Sequence, residues 1–110
     1  MPQFAVLVYE KPIAFEDIPA EVLQGHEQVP EKVEESGGKF VTGYAIAPAS
    51  DAKTVRGDDV TTGPFHEADQ QLAGFFIIEA NDVDHAASLA KFVPIIDGGV
   101  EVRPLFGEPE

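Results

Sequence analysis

Thr61-Thr-Gly-Pro-Phe-His-Glu-Ala-Asp-Gln-Gln-Leu-Ala-Gly-Phe-Phe76 reads as a strand end, a Gly63-Pro64 turn, a short polar segment and the start of a buried strand. Adjacent glycine and proline punctuate the chain, because glycine admits unusual backbone angles and proline fixes φ while lacking an N–H. The strand that follows, Ala73-Gly-Phe-Phe-Ile-Ile78, is apolar at odd and even positions alike, as is Phe4-Ala-Val-Leu-Val-Tyr9. That pattern belongs to strands covered on both faces. Helices of the same chain can cover one face. A second copy of the sheet is the economical cover for the other, so a homodimer is expected.

Working outward, Phe15 to Ser36 is helical in composition but carries two prolines. Pro19 suits a helix start, where its missing N–H is harmless. Pro30 in a helix interior removes a hydrogen bond and crowds the preceding turn. A kinked helix is expected, or a short helix and a second one starting near His26 to Gln28, with Gly37-Gly38 as the stop. Lys39 to Ala47 reads as a strand packed through Phe40, Val41, Tyr44 and Ile46, and Pro48 to Asp51 as a turn. Lys53–Arg56 and Val60–Thr62 flank Gly57-Asp58-Asp59 as a short hairpin. Asn81 or Asp82 caps a second helix whose Val83, Ala86, Ala87 and Ala90 form a narrow face of small residues. Pro94 stops that helix, and Asp97-Gly98-Gly99 turns the chain into a last strand, Val100 to Phe106. The order is β-α-β, an inserted hairpin, then β-α-β. It predicts an α+β, ferredoxin-like (split βαβ) antiparallel sheet with helices on one face. Residues 1–106 form a single domain in this reading and residues 107–110 a frayed tail.

The 110 residues suffice for one core. Twenty acidic against seven basic residues give a formal charge of −13, a field that disfavours nucleic acid and anionic membrane surfaces as partners. With no cysteine, disulfides, thiolate-held zinc and thiol catalysis are excluded. Neither a secretory signal nor a transmembrane run stands in the sequence, so a cytoplasmic location is expected.

The opening strand ending in Tyr9-Glu10, the Gly37-Gly38 stop, Gly63-Pro64-Phe65, Glu67, Leu72, Gly74 and the closing Val100-Glu-Val-Arg-Pro104 recur in order. In this the chain resembles the YCII-related family, and within it the DGPF-type subgroup. The resemblance implies a ferredoxin-like sheet paired back to back as a dimeric α/β-barrel, and a cleft between sheet and helices. It also implies a histidine on the first helix working with an aspartate. One branch of the family resembles dehydrochlorinases of chlorinated aromatic compounds, and DGPF members are often encoded beside extracytoplasmic-function sigma factors. His26 falls where the family histidine would lie. The chain departs from the pattern at the aspartate: Thr62 occupies the DGPF position, and the late Asp-Pro of other members is Val93-Pro94 here. Thr62 can donate and accept a hydrogen bond but cannot stabilise an imidazolium as a carboxylate does.

His26 is the candidate general base, because histidine titrates near neutral pH and this one shares a helical face with Val29 and Val33. Glu67 or Thr62 would assist it; the alternative is a histidine packed there and satisfied by one hydrogen bond. Arg103 either anchors an anionic ligand or pairs with an acid such as Glu101 on a neighbouring strand or on the twin subunit. Phe65 plugs the edge of the core and fixes the loop in this reading, a role compatible with lining a ligand cleft, and Tyr9 is a further ligand-binding candidate. His66-Glu67-Ala68-Asp69 has the residue types of metal ligands but not their spacing and reads as a solvated loop. His85 reads as an exposed residue without a role. No cofactor and no metal are expected. Two functions remain open: a cofactor-independent small-molecule enzyme using His26, and a non-catalytic dimeric module binding a small ligand or a protein through a degenerate site.

Overall fold

A computed structural model describes residues 1–106, and the tail expected at residues 107–110 lies outside the described residues. The chain runs through β1 (Gln3–Glu10), α1 (Ala20–Glu35), β2 (Lys39–Ala45), β3 (Lys53–Arg56), β4 (Asp59–Thr62), β5 (Gln71–Glu79), α2 (Val83–Ala90) and β6 (Gly98–Pro104). Single 3-10 turns stand at Phe15–Asp17 and Ala49–Asp51. Four strands make an antiparallel sheet in the order β2-β5-β1-β6, and β3 pairs with β4 as a separate hairpin. The arrangement is mixed α+β and consistent with the ferredoxin-like plan.

Alternation along β1 sorts the two faces of the sheet. Phe4, Val6 and Val8 are buried, and they form one core with Val29 and Val33 of α1, Ile78 of β5, and Ala86, Leu89 and Ala90 of α2. Both helices therefore cover the even face. Each fully buried aliphatic side chain here contributes about 1.5–3 kcal/mol of transfer free energy. Ala5 and Leu7 point the other way, opposite Ile77 and Phe75 of β5, and stay half-buried on a face that carries no helix. The two-layer body measures 42 × 36 × 20 Å.

α1 is one continuous helix with Pro30 inside it, so the two-helix alternative does not occur. It stops as the glycine pair predicts. Gly37 adopts φ +87°, where a side chain is strained, while Gly38 N–H donates to Val33 O at 3.0 Å and Gly37 N–H to Glu34 O at 3.3 Å. These are the two bonds of a Schellman stop. Asp82 caps α2 by accepting from His85 N–H at 2.8 Å. The buried face of α2 differs from the expected one. Ala86 and Ala90 face the core as predicted, but Leu89 joins them, while Val83 is 46% exposed and Ala87 is also exposed. Leu89 buries more apolar area than Val83 would, and that decides the helix rotation.

The hairpin clasps the Gly63–Phe65 turn. Thr54 Oγ1 donates to Gly63 O at 2.7 Å, Lys53 Nζ to Thr62 Oγ1 at 2.8 Å, and Arg56 Nη2 to Phe65 O at 2.8 Å. The Arg56 guanidinium also lies over the Phe65 ring, 4.3 Å from its centroid. Phe65 is 56% exposed, which corrects the expectation that it plugs the core. Its ring is held from outside by a cation instead.

Candidate functional site

His26 sits at the middle of α1, one turn before buried Val29, and is half-buried above the sheet. Its ring lies nearly parallel to that of Phe76 on β5, with centroids 6.4 Å apart and an interplanar angle of 27°. Phe40 of β2 meets Phe76 edge-on at 5.7 Å. Gly43 makes this possible, because a β-carbon there would collide with the Phe76 ring and approach Phe40. The imidazole thus rests on an aromatic floor.

Glu10 is the charge that acts on that ring. It ends β1 at an even position, in line with Phe4, Val6 and Val8, and so on the helix-covered face. Its two carboxylate oxygens are fixed by backbone donors: Ile96 N–H to Oε2 at 2.8 Å and Asp97 N–H to Oε1 at 2.7 Å. Two influences meet at His26. Burial disfavours the imidazolium and is the larger, the Glu10 carboxylate favours it, and the net effect holds His26 below its ordinary value. At neutral pH the ring is a neutral proton acceptor; among the described residues no hydrogen bond or ion pair joins Glu10 to it, and the carboxylate acts on it only through its charge.

The other candidates stand elsewhere. Thr62 is on β4, bonded to Lys53, and Glu67 is exposed in the loop before β5. No hydrogen bond or ion pair joins either to His26 among the described residues. Tyr9 and Arg103 lie on the helix-free face, opposite to His26. There Arg103 Nε donates to Glu101 Oε2 at 2.7 Å, and Tyr9 OH lies 3.5 Å from Glu101 Oε1. The Glu101 hydrogen bond raises Arg103 above its ordinary value. The structural pairing of Arg103 is the arrangement present, within one strand rather than between neighbouring strands.

His85, read from sequence as idle, is engaged. Its Nδ1 accepts from Asn81 N–H at 2.9 Å, so the proton is on Nε2, which donates to Ser36 O at 2.9 Å. The ring joins the start of α2 to the end of α1. Among the described residues no group of three or more histidines and carboxylates could hold a metal, and no helix is long and apolar enough to cross a membrane.

A polar cleft of about 370 Å³ opens between Lys11, Ala68, Asp69, Gln70 and Asp97. It borders the loop that anchors Glu10 but not the imidazole itself. The void beneath the helices, lined by Val6, Phe76 and Leu89 among others, is about 10 Å³ and holds at most one water.

This combination of a split sheet with one helix layer and a histidine of the first helix over its aromatic floor accompanies a family match. The sequence matches the YCII-related domain over residues 2–108. The chain belongs to the YCII-related family. No curated protein matches it. Within this YCII-related chain, Glu10 is the functional candidate that sequence reading passed over. A signal was available: a glutamate closing a strand at the parity of its core residues has its carboxylate on the helix side.

Proposed function

We propose that this YCII-related protein is a cofactor-independent small-molecule enzyme, of the DGPF-type subgroup, in which His26 is the general base and Glu10 its charge partner. What supports the reading is Glu10: a carboxylate held by two backbone N–H groups, whose charge, without a direct hydrogen bond, favours the protonated form of half-buried His26. It takes the role that Thr62 at the subgroup's aspartate position cannot fill. His26 would remove a proton from the substrate. We place the protein as a homodimer joined through its helix-free face, the back-to-back dimeric α/β-barrel arrangement.

A second reading has its own support. Burial outweighs Glu10 at His26, and the ligand-sized cleft lies beside Glu10's loop rather than against the ring. Both features suit a module that binds a small molecule without turning it over. The two readings separate with phenylacetone, an aromatic carbon acid, in deuterated water. An enzyme accelerates exchange of its acidic C–H, and His26→Gln abolishes that acceleration. Binding that perturbs the Phe76 and His26 resonances without exchange puts the binding module first.

A further inference from the structure

Two prolines bracket His26, and neither belongs to the acid–base pair. Pro30 lies four residues after His26 within continuous α1, so the His26 carbonyl cannot receive the hydrogen bond that residue 30 would otherwise donate. The pyrrolidine ring also presses on that same carbonyl, and a helix opens at such a point. On the other side, residue 25 is glycine, and a β-carbon built there would stand 2.8 Å from Cγ of Pro94 and 3.4 Å from its Cβ. Only a residue without a side chain lets α1 approach the segment after α2 this closely. That segment continues directly into Ile96 and Asp97, whose N–H groups hold Glu10.

We propose that Pro30 and Pro94 are positioning residues: Pro30 opens α1 at His26, and the Gly25–Pro94 contact seats the opened turn so that the imidazole lies against Phe76. The helix would be more stable without Pro30, since proline is the least favourable residue in a helix interior. The N-terminal half of α1 then registers on the same segment that fixes the carboxylate, so base and partner share one support. This deepens the reading of His26 as the functional group and rests on it. Its test, however, reads the place of the ring and not turnover.

The test follows the His26 ring protons by NMR, through the ring-current shift from Phe76 and the titration midpoint, in Gly25→Ala, Pro94→Ala, Pro30→Ala and the Gly25→Ala/Pro94→Ala double variant. Gly25→Ala is expected to reduce the ring-current shift and raise the midpoint, as the ring loses its shelter. The double variant, with Cγ of residue 94 gone, is expected to bring both back toward wild type, which independent sites would not do. Pro30→Ala is expected to raise the melting temperature by roughly 5 °C or more while displacing the ring signals in the same direction. Unchanged ring signals in Gly25→Ala, or no recovery in the double variant, overturn the role of Pro94. Unchanged ring signals in Pro30→Ala overturn the role of Pro30. If Gly25→Ala fails to fold, Pro94→Ala alone supplies the readout for that contact. A displaced ring in a protein that never exchanges phenylacetone protons would sink the enzyme reading and leave this one standing.

Discussion

His26 holds its proton less tightly than a free histidine because shelter outweighs the attraction of Glu10. The sign of the consequence follows from linkage. Below the ordinary value of about 6.5 the unfolded chain binds the proton first, so protonation favours unfolding and stability rises with pH between the lowered folded midpoint and about 6.5. His26→Gln should remove this part of the pH dependence, checked by urea titrations across that window. Glu10→Gln should move the His26 midpoint further down, because the one influence that raises it has gone. A midpoint indifferent to Glu10 would leave the imidazole without a partner and the base without a stabilised conjugate acid. At this scale the sequence was half legible. A histidine sharing a helical face with two valines is readable from period 3.6, whereas the charge of Glu10 acts on it from 16 residues away and from another element. Such a pairing depends on which strand lies under the helix, and no local pattern encodes that.

Elements were far easier to read than the contacts between them. Strand periodicity, the Gly37-Gly38 stop, the Asp82 cap and the hairpin around Gly57 all have local causes, and each stands where those causes put it. At two places tertiary packing decided what the local pattern left open or misjudged. α1 runs through Pro30 since Val29 and Val33 are both sealed in the core, and their burial offsets the bond that proline removes. Phe65 stays outside since Arg56 binds both its carbonyl and its ring. Gly43 on β2 is a sharper test of how elements build the site. Gly43→Ala should push the Phe76 ring aside and cost about 1–3 kcal/mol, typical of overpacking, measurable by thermal unfolding. The same variant should alter the His26 ring signals, because the floor under the imidazole has moved. A Gly43→Ala protein with wild-type stability and an unshifted His26 would show that the Phe40–Phe76 pair does not support the site.

For the molecule as a whole, the unanswered demand is the helix-free face of the sheet. Leu7 and Phe75 stand opposite each other there, as do Ala5 and Ile77, and Tyr44 packs on Phe75 with centroids 6.0 Å apart while remaining 66% exposed. A sheet with one covered face and one half-buried apolar face is the reason for placing a second copy on it. Sedimentation should then give about twice the 11.8 kDa chain mass, and Ile77→Glu should give a folded monomer. Salt supplies the more discriminating measurement, because two effects of opposite sign compete. Each chain carries a formal charge of −13, so two copies repel at long range and added salt relieves that repulsion. The Glu101–Arg103 pairs on the same face could instead reach across the two-fold axis, and salt would weaken them. Those side chains are 41% and 68% exposed, and an exposed ion pair contributes only about 0–1 kcal/mol. Repulsion between whole chains should therefore dominate, and dimerisation should tighten as ionic strength rises. Dissociation on adding salt would mean that cross-axis ion pairs rather than Leu7, Phe75 and Ile77 hold the copies together. A wild-type protein that stays monomeric at every salt concentration would mean the face is not joined to a second copy at all.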